Sequence, residues 1–148
     1  MFRHMQTTDS TTVAEMMKSL YQSLQAPADY LTDEKIAATF KQVQNQTGHL
    51  QLEVFEIDKI LVGYALLFQF WYNEFGGMVL NIDELFVKPD CRSLGIASLY
   101  LSELTKRKEG YVAMSLEVLP ENKKAYQLYK RNGFIEKETI TLYRLIDH

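Results

Sequence analysis

Six consecutive residues near the middle of the chain have the composition of an anion-binding loop: Arg92, Ser93, Leu94, Gly95, Ile96 and Ala97. They follow an apolar run at Ile82–Val87 and open a run with helical spacing at Ile96–Leu104. The N-terminus of a helix has backbone N–H groups without intrahelical partners and a partial positive charge. Gly95 permits close approach of the backbone, and Arg92 adds a fixed positive charge. The sequence therefore predicts a phosphate-binding loop between a strand and a helix.

The common nucleotide-binding patterns do not occur in the chain. Neither G-x-x-x-x-G-K-[ST] nor G-x-G-x-x-G is present, and the Gly-Gly pair, Gly76-Gly77, precedes the strand instead of following it. Taken alone, R-x-x-G-x-A is also compatible with an ordinary turn that joins a strand to a helix, which is the alternative to a phosphate-binding loop.

Residues nearer the C-terminus make the pattern more specific. A strand-like run at Ser115–Leu119 is followed by Asn122, a helical run from Lys123 to Arg131, and Gly133-Phe134. The ordered motifs R-x-x-G-x-A, N-x-x-A-x-x-x-Y and G-F resemble the GNAT superfamily of N-acetyltransferases. The resemblance covers about residues 50 to 146 and, more loosely, the N-terminal helices.

The resemblance implies acetyl-CoA as co-substrate, with its pyrophosphate on the first loop and its pantetheine arm paired with a strand backbone. Tyr129 matches the tyrosine that serves the family as general acid. Ser93 and Leu94 depart from the glycine and basic residue that the family often has there, which removes one phosphate-binding charge. The cofactor contacts implied in this chain are Leu85, Phe86, Val87, Arg92, Ser93, Leu94, Gly95, Ile96, Ala97, Ser98, Asn122, Ala125 and Tyr129.

Two adjacent acids are candidates for the base that removes a proton from an amine. Side chains alternate along a strand, so we expect Asp83 to share a face with Leu85, and Glu84 to share a face with Ile82. Burial among apolar neighbours raises the pKa of a carboxyl and makes it a better base. The alternative for either acid is that it binds a cationic substrate or a structural partner.

The candidate acid lies on a helix. Asn122, Ala125 and Tyr129 are spaced i, i+3 and i+7, which places them on one helix face. A tyrosine hydroxyl, with an ordinary pKa of about 10, can donate a proton to a thiolate leaving group. On spacing alone, a core tyrosine beside Tyr126 is the alternative.

The segment Gln69–Gly77 supplies candidates for binding the amine, namely Trp71 through cation–π contact and Glu74 through charge. A dimer contact or a core edge would explain the same residues. Together with Ile82–Val87, the segment is similar to the diamine acetyltransferase branch of the family. In that branch the acid that matches Asp83 contacts the polyamine.

These observations predict an N-acetyltransferase that moves an acetyl group from acetyl-CoA to a small primary amine, by direct attack in a ternary complex. No cysteine or serine nucleophile with a histidine base is evident. Polyamines, lysine analogues and amino acids are the expected acceptors. Three alternatives stay open: acetylation of a protein lysine or N-terminus, a non-catalytic acyl-CoA-binding regulatory domain, and a pure interaction module.

Composition excludes several other classes. A formal net charge of -3 and the lack of a basic stripe argue against a nucleic-acid binder. No apolar run reaches the roughly 18 residues of a membrane span, and His4, His49 and His148 do not form a metal-binding spacing. The single cysteine, Cys91, excludes an internal disulfide and fits a reducing cytoplasm. The resembling branch implies a homodimer.

The pattern along the chain predicts one α/β (α+β) domain over residues 1–148. We expect a twisted, mostly antiparallel sheet with helices on both faces. The resemblance adds that two of the strands, Asn81–Lys88 and Val112–Leu119, splay apart to leave a cleft. The other expected elements are strands at Phe2–Gln6, Leu50–Ile57 and Ile60–Trp71, helices after Ser10 and Thr32 and at Leu94–Lys108 and Asn122–Arg131, and a last hairpin at Phe134–Ile146.

Overall fold

The computed structural model describes residues 1–45, 47–107 and 110–146. The chain divides into two compact units, Met1–Glu117 and Val118–His148; the single domain over 1–148 stays a prediction. In chain order the elements are β1 (Phe2–His4), α1 (Ser10–Ser23), α2 (Asp33–Gln44), β2 (Leu50–Ile57), β3 (Ile60–Tyr72), β4 (Gly77–Val87), α3 (Ile96–Lys106), β5 (Ala113–Leu116) and α4 (Lys123–Arg131), with short 3-10 turns at Thr7–Asp9 and Pro89–Cys91.

Among the described residues the strands form one five-stranded sheet in the order β1-β2-β3-β4-β5. The pairings β1–β2, β2–β3 and β3–β4 are antiparallel, while β4 and β5 run parallel. The parallel pair is joined through α3, as parallel strands require a crossover connection. The prediction of an α/β fold with a mostly antiparallel sheet is confirmed.

Helices lie on both faces of this sheet. Val54 belongs to the core cluster that includes Val13 and Met16 of α1 and Ile36 of α2. The next residue, Phe55, points to the opposite face, where its ring centroid lies 4.5 Å from that of Tyr100 of α3. Consecutive residues of β2 therefore contact helices on opposite sides of the sheet.

The β2–β3 hairpin forms where the sequence predicts it. Asp58 and Lys59 have φ values of 49° and 64°, and two successive left-handed residues define the turn type that matches the twist of a two-residue hairpin. The start of α2 is also as expected, because the hydroxyl of Thr32 accepts a hydrogen bond from the Lys35 N–H.

One expectation about β4 is wrong. Leu66 of β3 pairs with Glu84, but the next residue, Leu67, pairs with Ile82, so Asp83 is an extra residue in a β-bulge. Because Leu66 and Leu67 face opposite sides of the sheet, their partners Glu84 and Ile82 do as well. The sequence prediction assumes that side chains alternate along a strand without a bulge, in which case Ile82 and Glu84 would lie on the same face.

The pairing of β4 with β5 ends early. The last paired residues are Ile82 and Leu116, whereas β4 continues to Val87. The strand expected at Val112–Leu119 is thus shorter than predicted. Beyond Ile82, the side of β4 that would face β5 carries no strand in the described part of the chain.

The expectation of a last hairpin is wrong in this structure. Residues 134–146 contain no strand or helix, although Ile140–Tyr143 has strong strand composition. Residue composition gives a preference for extended backbone, but it does not by itself determine strand pairing. The helix predicted at Leu94–Lys108 begins later, at Ile96, and Lys108 lies outside the described residues.

Candidate active site

The unpaired side of β4 provides backbone groups where the cofactor arm was expected. Leu85, Phe86 and Val87 pair with β3 on one side only. An edge strand presents alternating N–H and C=O groups that a ligand containing amides can pair with. This edge is therefore suited to an extended chain with amide groups, such as pantetheine.

The loop Arg92–Gly95 follows directly from this edge. Arg92 Nε donates to the carbonyl of Val87 at 2.9 Å, and the guanidinium carbon lies 5.7 Å from the centroid of the Phe86 ring. These contacts hold the cation of Arg92 beside the end of β4. The loop is thus oriented by the strand that precedes it.

Two left-handed residues shape the same loop. Ser93 has φ 69°, and Gly95, which precedes the first residue of α3, has φ 75°. Glycine adopts this conformation without strain. A Cβ built at Gly95 would meet nothing within 4 Å, so the absent side chain leaves open space at the helix N-terminus. The predicted anion site therefore has the shape and polarity to fit a phosphate.

Buried contacts fix α3 in place. Tyr100 is fully buried, and its hydroxyl donates to Glu53 of β2 at 2.7 Å. Arg107 Nη2 donates to the same carboxylate at 3.0 Å. Because Glu53 receives both donors, its buried charge is compensated, and the middle and the C-terminal end of α3 are held against the sheet.

Asp83 lies at the point where β4 and β5 part. It follows the last paired residue of β4, and Glu117 follows the last paired residue of β5. Desolvation and the nearby Glu117 carboxylate raise the pKa of Asp83 above its usual range. Asp83 remains accessible to solvent. An accessible carboxyl with a raised pKa has the properties of a general base for amine chemistry.

Glu84 has a different environment from its neighbour. Its carboxylate is buried and accepts hydrogen bonds from Tyr21 and Tyr64, both at 2.8 Å. Burial raises its pKa, while the two tyrosine donors oppose that shift. Both carboxylate oxygens have protein partners, so the geometry favours Asp83 over Glu84 as the base and gives Glu84 the role of joining α1 to the sheet.

Replacing Glu84 with glutamine tests this structural role. The raised pKa of folded Glu84 means that its contribution to the free energy of unfolding is greatest at low pH and falls as the pH rises through the folded pKa. Glutamine does not titrate, so Glu84→Gln removes this pH-dependent decrease in the free energy of unfolding. We expect the difference in Tm between the variant and the wild-type chain to move in favour of the variant from pH 4 to pH 8.

Thermal unfolding across this pH range, followed by circular dichroism, measures the effect. Glu121→Gln, which changes an exposed carboxylate, is the matched control. Parallel Tm profiles for Glu84→Gln and wild type would contradict the assignment.

In the second unit, Asn122 begins α4. Its side-chain oxygen accepts a hydrogen bond from the Ala125 N–H at 3.3 Å, which is the contact of a helix N-cap. Asn122, Ala125 and Tyr129 share one face of α4, as their spacing predicts. A structural role thus accounts for Asn122 in this structure, and its contact with the cofactor stays a prediction.

The Gly-Phe motif holds Tyr129 in position. The Phe134 N–H donates to the carbonyl of Tyr129 and the Gly133 N–H to that of Lys130, both at 3.1 Å. With Gly133 at φ 88°, these bonds form a Schellman motif, whose usual apolar contact is present between the rings of Phe134 and Tyr129 at 5.7 Å. Burial raises the pKa of Tyr129 to about 12, so its hydroxyl keeps its proton at neutral pH.

Trp71 and Glu74 are not close to Asp83. Trp71 pairs with Met78 at the far end of the β3–β4 hairpin, and Glu74 lies in its turn. Met78 and Asp83 are about 16 Å apart along β4 at ordinary strand spacing. The structure therefore separates the two predicted amine-binding residues from the candidate base.

Sequence reasoning missed three residues of this region. The sequence pattern places Glu117 only in a strand. An acidic residue in a strand beside the predicted cleft is also a candidate general base, and this was the available signal. Tyr21 and Tyr64 contact Glu84 from α1 and β3. No sequence signal identified these two contacts, because they join residues distant in the chain.

The described part of the chain has neither a metal-binding cluster nor a membrane-spanning helix. It contains no group of three or more His, Cys, Asp or Glu side chains placed to hold a metal ion. None of its helices has the length and apolar character needed to cross a bilayer.

The fold and the site define an α/β protein in which an open strand edge at Leu85–Val87 leads to the loop Arg92–Gly95 at the start of α3. Residues 14–134 match the model of the Acetyltransferase (GNAT) family. The chain belongs to this family.

Curated relatives match over part of their length. The chain is 35% identical over 75 residues to thialysine N-epsilon-acetyltransferase of Sus scrofa, a match that covers 49% of this chain and 44% of the relative. It is 41% identical over 64 residues to an uncharacterized N-acetyltransferase of Methanocaldococcus jannaschii, covering 42% of this chain and 28% of the relative. The chain thus spans less than half the length of these two relatives.

Solved structures share the fold. A possible acetyltransferase from Clostridium difficile 630 has a TM-score of 0.84 at 19% identity, covering 100% of this chain and 98% of that one. Aminoglycoside N-acetyltransferase AAC(6')-Iy in complex with CoA has a TM-score of 0.79 at 22% identity, covering 98% and 93%. Identities this low support the fold alone.

Proposed function

We propose that the chain is an acetyl-CoA-dependent N-acetyltransferase that acts on a small primary amine. The observation that carries this proposal is the unpaired edge of β4 at Leu85–Val87, which ends at the Arg92–Gly95 loop. An amide-containing arm and a pyrophosphate are the two ends of one CoA molecule. The edge and the loop offer the complementary groups in the same order.

The first unit supplies most of the expected cofactor contacts. The backbone of Leu85–Val87 would pair with the pantetheine amides, and Arg92 would contact the pyrophosphate. The N–H groups at the start of α3 would also face the pyrophosphate, where the helix dipole favours negative charge. Binding both substrates together makes the reaction effectively unimolecular.

Asp83 is the proposed base. The amine lone pair attacks the thioester carbonyl, a C–N bond forms and the C–S bond breaks, and the amine proton passes to the Asp83 carboxylate directly or through water. The raised pKa of Asp83 strengthens it as a proton acceptor. Glu84 holds α1 and β3 at the base of this site and takes no proton from the substrate.

Tyr129 is the proposed acid. Its hydroxyl donates a proton to the leaving thiolate, so that CoA departs as the thiol. A pKa of about 12 keeps the donor protonated at working pH. The Schellman motif at Gly133-Phe134 packs Phe134 against the ring of Tyr129 at the C-terminal end of α4. This contact limits the positions that the Tyr129 hydroxyl can occupy.

The acceptor is proposed to be a cationic amine of low mass, such as a polyamine, a lysine analogue or an amino acid. Asp83 and Glu117 place two carboxyl groups where the pairing of β4 with β5 ends. An ammonium group on the acceptor would balance their negative charge. The names of the thialysine and aminoglycoside acetyltransferases agree with this class. Trp71 and Glu74, at the far end of the β3–β4 hairpin, would contact only an extended acceptor such as a polyamine. We further propose a homodimer in a reducing cytoplasm.

A turnover assay tests the proposal. Release of free CoA from acetyl-CoA is followed with polyamines, lysine analogues, amino acids and basic peptides. We expect turnover with at least one small amine and a rise in Tm with acetyl-CoA. Turnover confined to peptides would move the acceptor to protein amines. A rise in Tm without turnover on any acceptor would favour a regulatory acyl-CoA-binding domain. The absence of both turnover and a rise in Tm would refute the cofactor site.

Leu94 gives a prediction about affinity. Its side chain is exposed in the anion loop, where a cation would lie near the pyrophosphate. We expect Leu94→Lys to tighten acetyl-CoA binding by about 3-fold to 10-fold, with a loss of the gain at high salt, because an exposed charge is screened. Titration calorimetry measures it, with Leu99→Lys, on the exposed side of α3, as control. Equal gains in both variants would contradict the loop assignment.

A further inference from the structure

One face of the β3–β4 hairpin carries a continuous row of aromatic rings. Ring centroids lie 6.0 Å apart between Phe68 and Phe70, 5.8 Å between Phe70 and Tyr72, and 4.8 Å between Tyr72 and Phe75. The first three residues are half-buried, and Phe75 is exposed. These four residues are called the aromatic row below. Contiguous apolar surface that is partly open to solvent is typical of a binding surface.

The aromatic row lies on the same face of the sheet as Glu84. Side chains alternate along β3, so Phe68 and Phe70 share a face with Leu66, whose partner on β4 is Glu84. The core cluster that this face shares with α1 and α2 extends to Leu50 and Leu66. Because β2 begins at Leu50, opposite Phe68, the row continues past the end of this strand. The rings therefore lie at the margin of the core.

The row begins close to the proposed base. Phe68 pairs with Asn81, and Asp83 is two residues further along β4, about 7 Å away at ordinary strand spacing. The charge of Asp83 reaches this face of the sheet, because the pKa of Tyr64 is raised by burial, by the Glu84 carboxylate and, to a smaller extent, by Asp83. An acceptor with its amine at Asp83 would thus extend over Phe68.

The surroundings of the row indicate what part of an acceptor it would contact. The strand residues opposite Phe68 and Phe70 are Asn81 and Val79, which carry no charge. Glu74 is confined to the hairpin turn, at the far end of the row. A second ammonium group above Phe68 and Phe70 would lose water without gaining a carboxylate from the opposite strand. An apolar ring in the same place gains buried area and ring contacts.

We propose that the aromatic row determines acceptor specificity, and that the acceptor is a primary amine joined by a short spacer to an aromatic or other bulky apolar group. Phe68 and Phe70 contact that group while Asp83 meets the amine. The inference rests on the proposed acetyl transfer and narrows its acceptor, since arylalkylamines should be preferred to polyamines. Phe68 and Phe70 bind the acceptor and take no part in proton transfer.

The first test compares kcat/KM for phenethylamine, putrescine and spermidine, with wild type beside Phe70→Leu. We expect wild type to prefer phenethylamine to both polyamines. Phe70→Leu should reduce this preference by about 3-fold to 10-fold, because leucine keeps an apolar side chain but removes the ring contacts. The loss should appear as a higher KM for phenethylamine with kcat nearly unchanged, as expected for a residue that only binds.

Phe2→Leu is the matched control. Phe2 is also half-buried, and its ring contacts those of Phe55 and Tyr100, both at 5.1 Å, on the opposite face of the sheet. The same substitution there should leave the preference unchanged. A wild-type preference for putrescine or spermidine, or equal rates with all three amines, would overturn the specificity proposal and leave acetyl transfer intact. A preference that Phe70→Leu does not alter would also overturn it.

The second test measures binding of phenethylamine by calorimetry in the presence of CoA, which requires no turnover. We expect binding to wild type and Phe2→Leu, and weaker binding to Phe70→Leu. This pattern without turnover of any amine would support the binding surface and refute the proposed reaction. No binding of phenethylamine to a chain that acetylates other amines would refute the surface alone.

Discussion

Replacing Tyr129 with phenylalanine should lower kcat for acetyl transfer by about 100-fold or more, since loss of a positioned general acid typically costs that much. Binding of acetyl-CoA should change little, because the ring and its contact with Phe134 remain. The pKa of Tyr129, about 12, predicts that the loss is the same across neutral pH. The hydroxyl is protonated throughout that range.

A neighbouring tyrosine provides the control for this experiment. Tyr126 lies on the same helix, and its hydroxyl donates to Glu136 at 3.1 Å in an exposed position. Tyr126→Phe should keep turnover near the wild-type value. Steady-state kinetics with calorimetry of acetyl-CoA binding separates kcat from affinity. Unchanged turnover in Tyr129→Phe would show that the acid is another group.

Replacing Asp83 with asparagine should lower kcat/KM by about 100-fold to 1000-fold, in the range measured for general bases. A base acts only when deprotonated, so the wild-type rate should rise with pH through the pKa of Asp83. Asparagine does not titrate, and the variant should lose this rise. Retained turnover with the same pH profile would exclude Asp83 as the base.

The pair of acids offers a finer test of the same assignment. The Glu117 carboxylate raises the pKa of Asp83. Glu117→Gln removes this repulsion and should move the rise in kcat/KM to lower pH, a shift that a purely structural role would not produce. Asp58→Asn is the matched control, because Asp58 is an exposed turn residue with φ 49° that asparagine also tolerates.

These two variants also separate the classes of function that the sequence left open. A non-catalytic acyl-CoA-binding domain requires neither a proton donor nor a proton acceptor. Loss of turnover in both Tyr129→Phe and Asp83→Asn, with binding intact, is specific to an enzyme. If neither variant alters a measured turnover, the chemistry lies with other residues.

Local sequence was sufficient for the parts of the site that depend on neighbours in the chain. The left-handed Gly95 ahead of α3, the Asn122 cap and the Gly133-Phe134 end of α4 each involve contacts within a few residues. Such contacts follow from residue type and spacing, because the backbone geometry of a turn or a helix end is local. The family motifs are made of these residues.

Contacts between distant segments required the tertiary structure. The bulge at Asp83 arises from the register between β3 and β4, and it separates Asp83 and Glu84 into different environments. Tyr21 meets Glu84 because α1 packs on that face of the sheet, and Tyr64 meets Glu84 because β3 pairs with β4. Glu117 becomes a neighbour of Asp83 where the pairing of β4 with β5 ends.

The sequence by itself thus determined the class of fold, the glycine loop ahead of α3 and the helix that carries Tyr129. Only the tertiary structure distinguished the two adjacent acids, through the bulge at Asp83 and the contacts of Glu84 with Tyr21 and Tyr64. The physical reason is that residue type sets local backbone preference, whereas register and strand pairing depend on the free energy of the whole sheet.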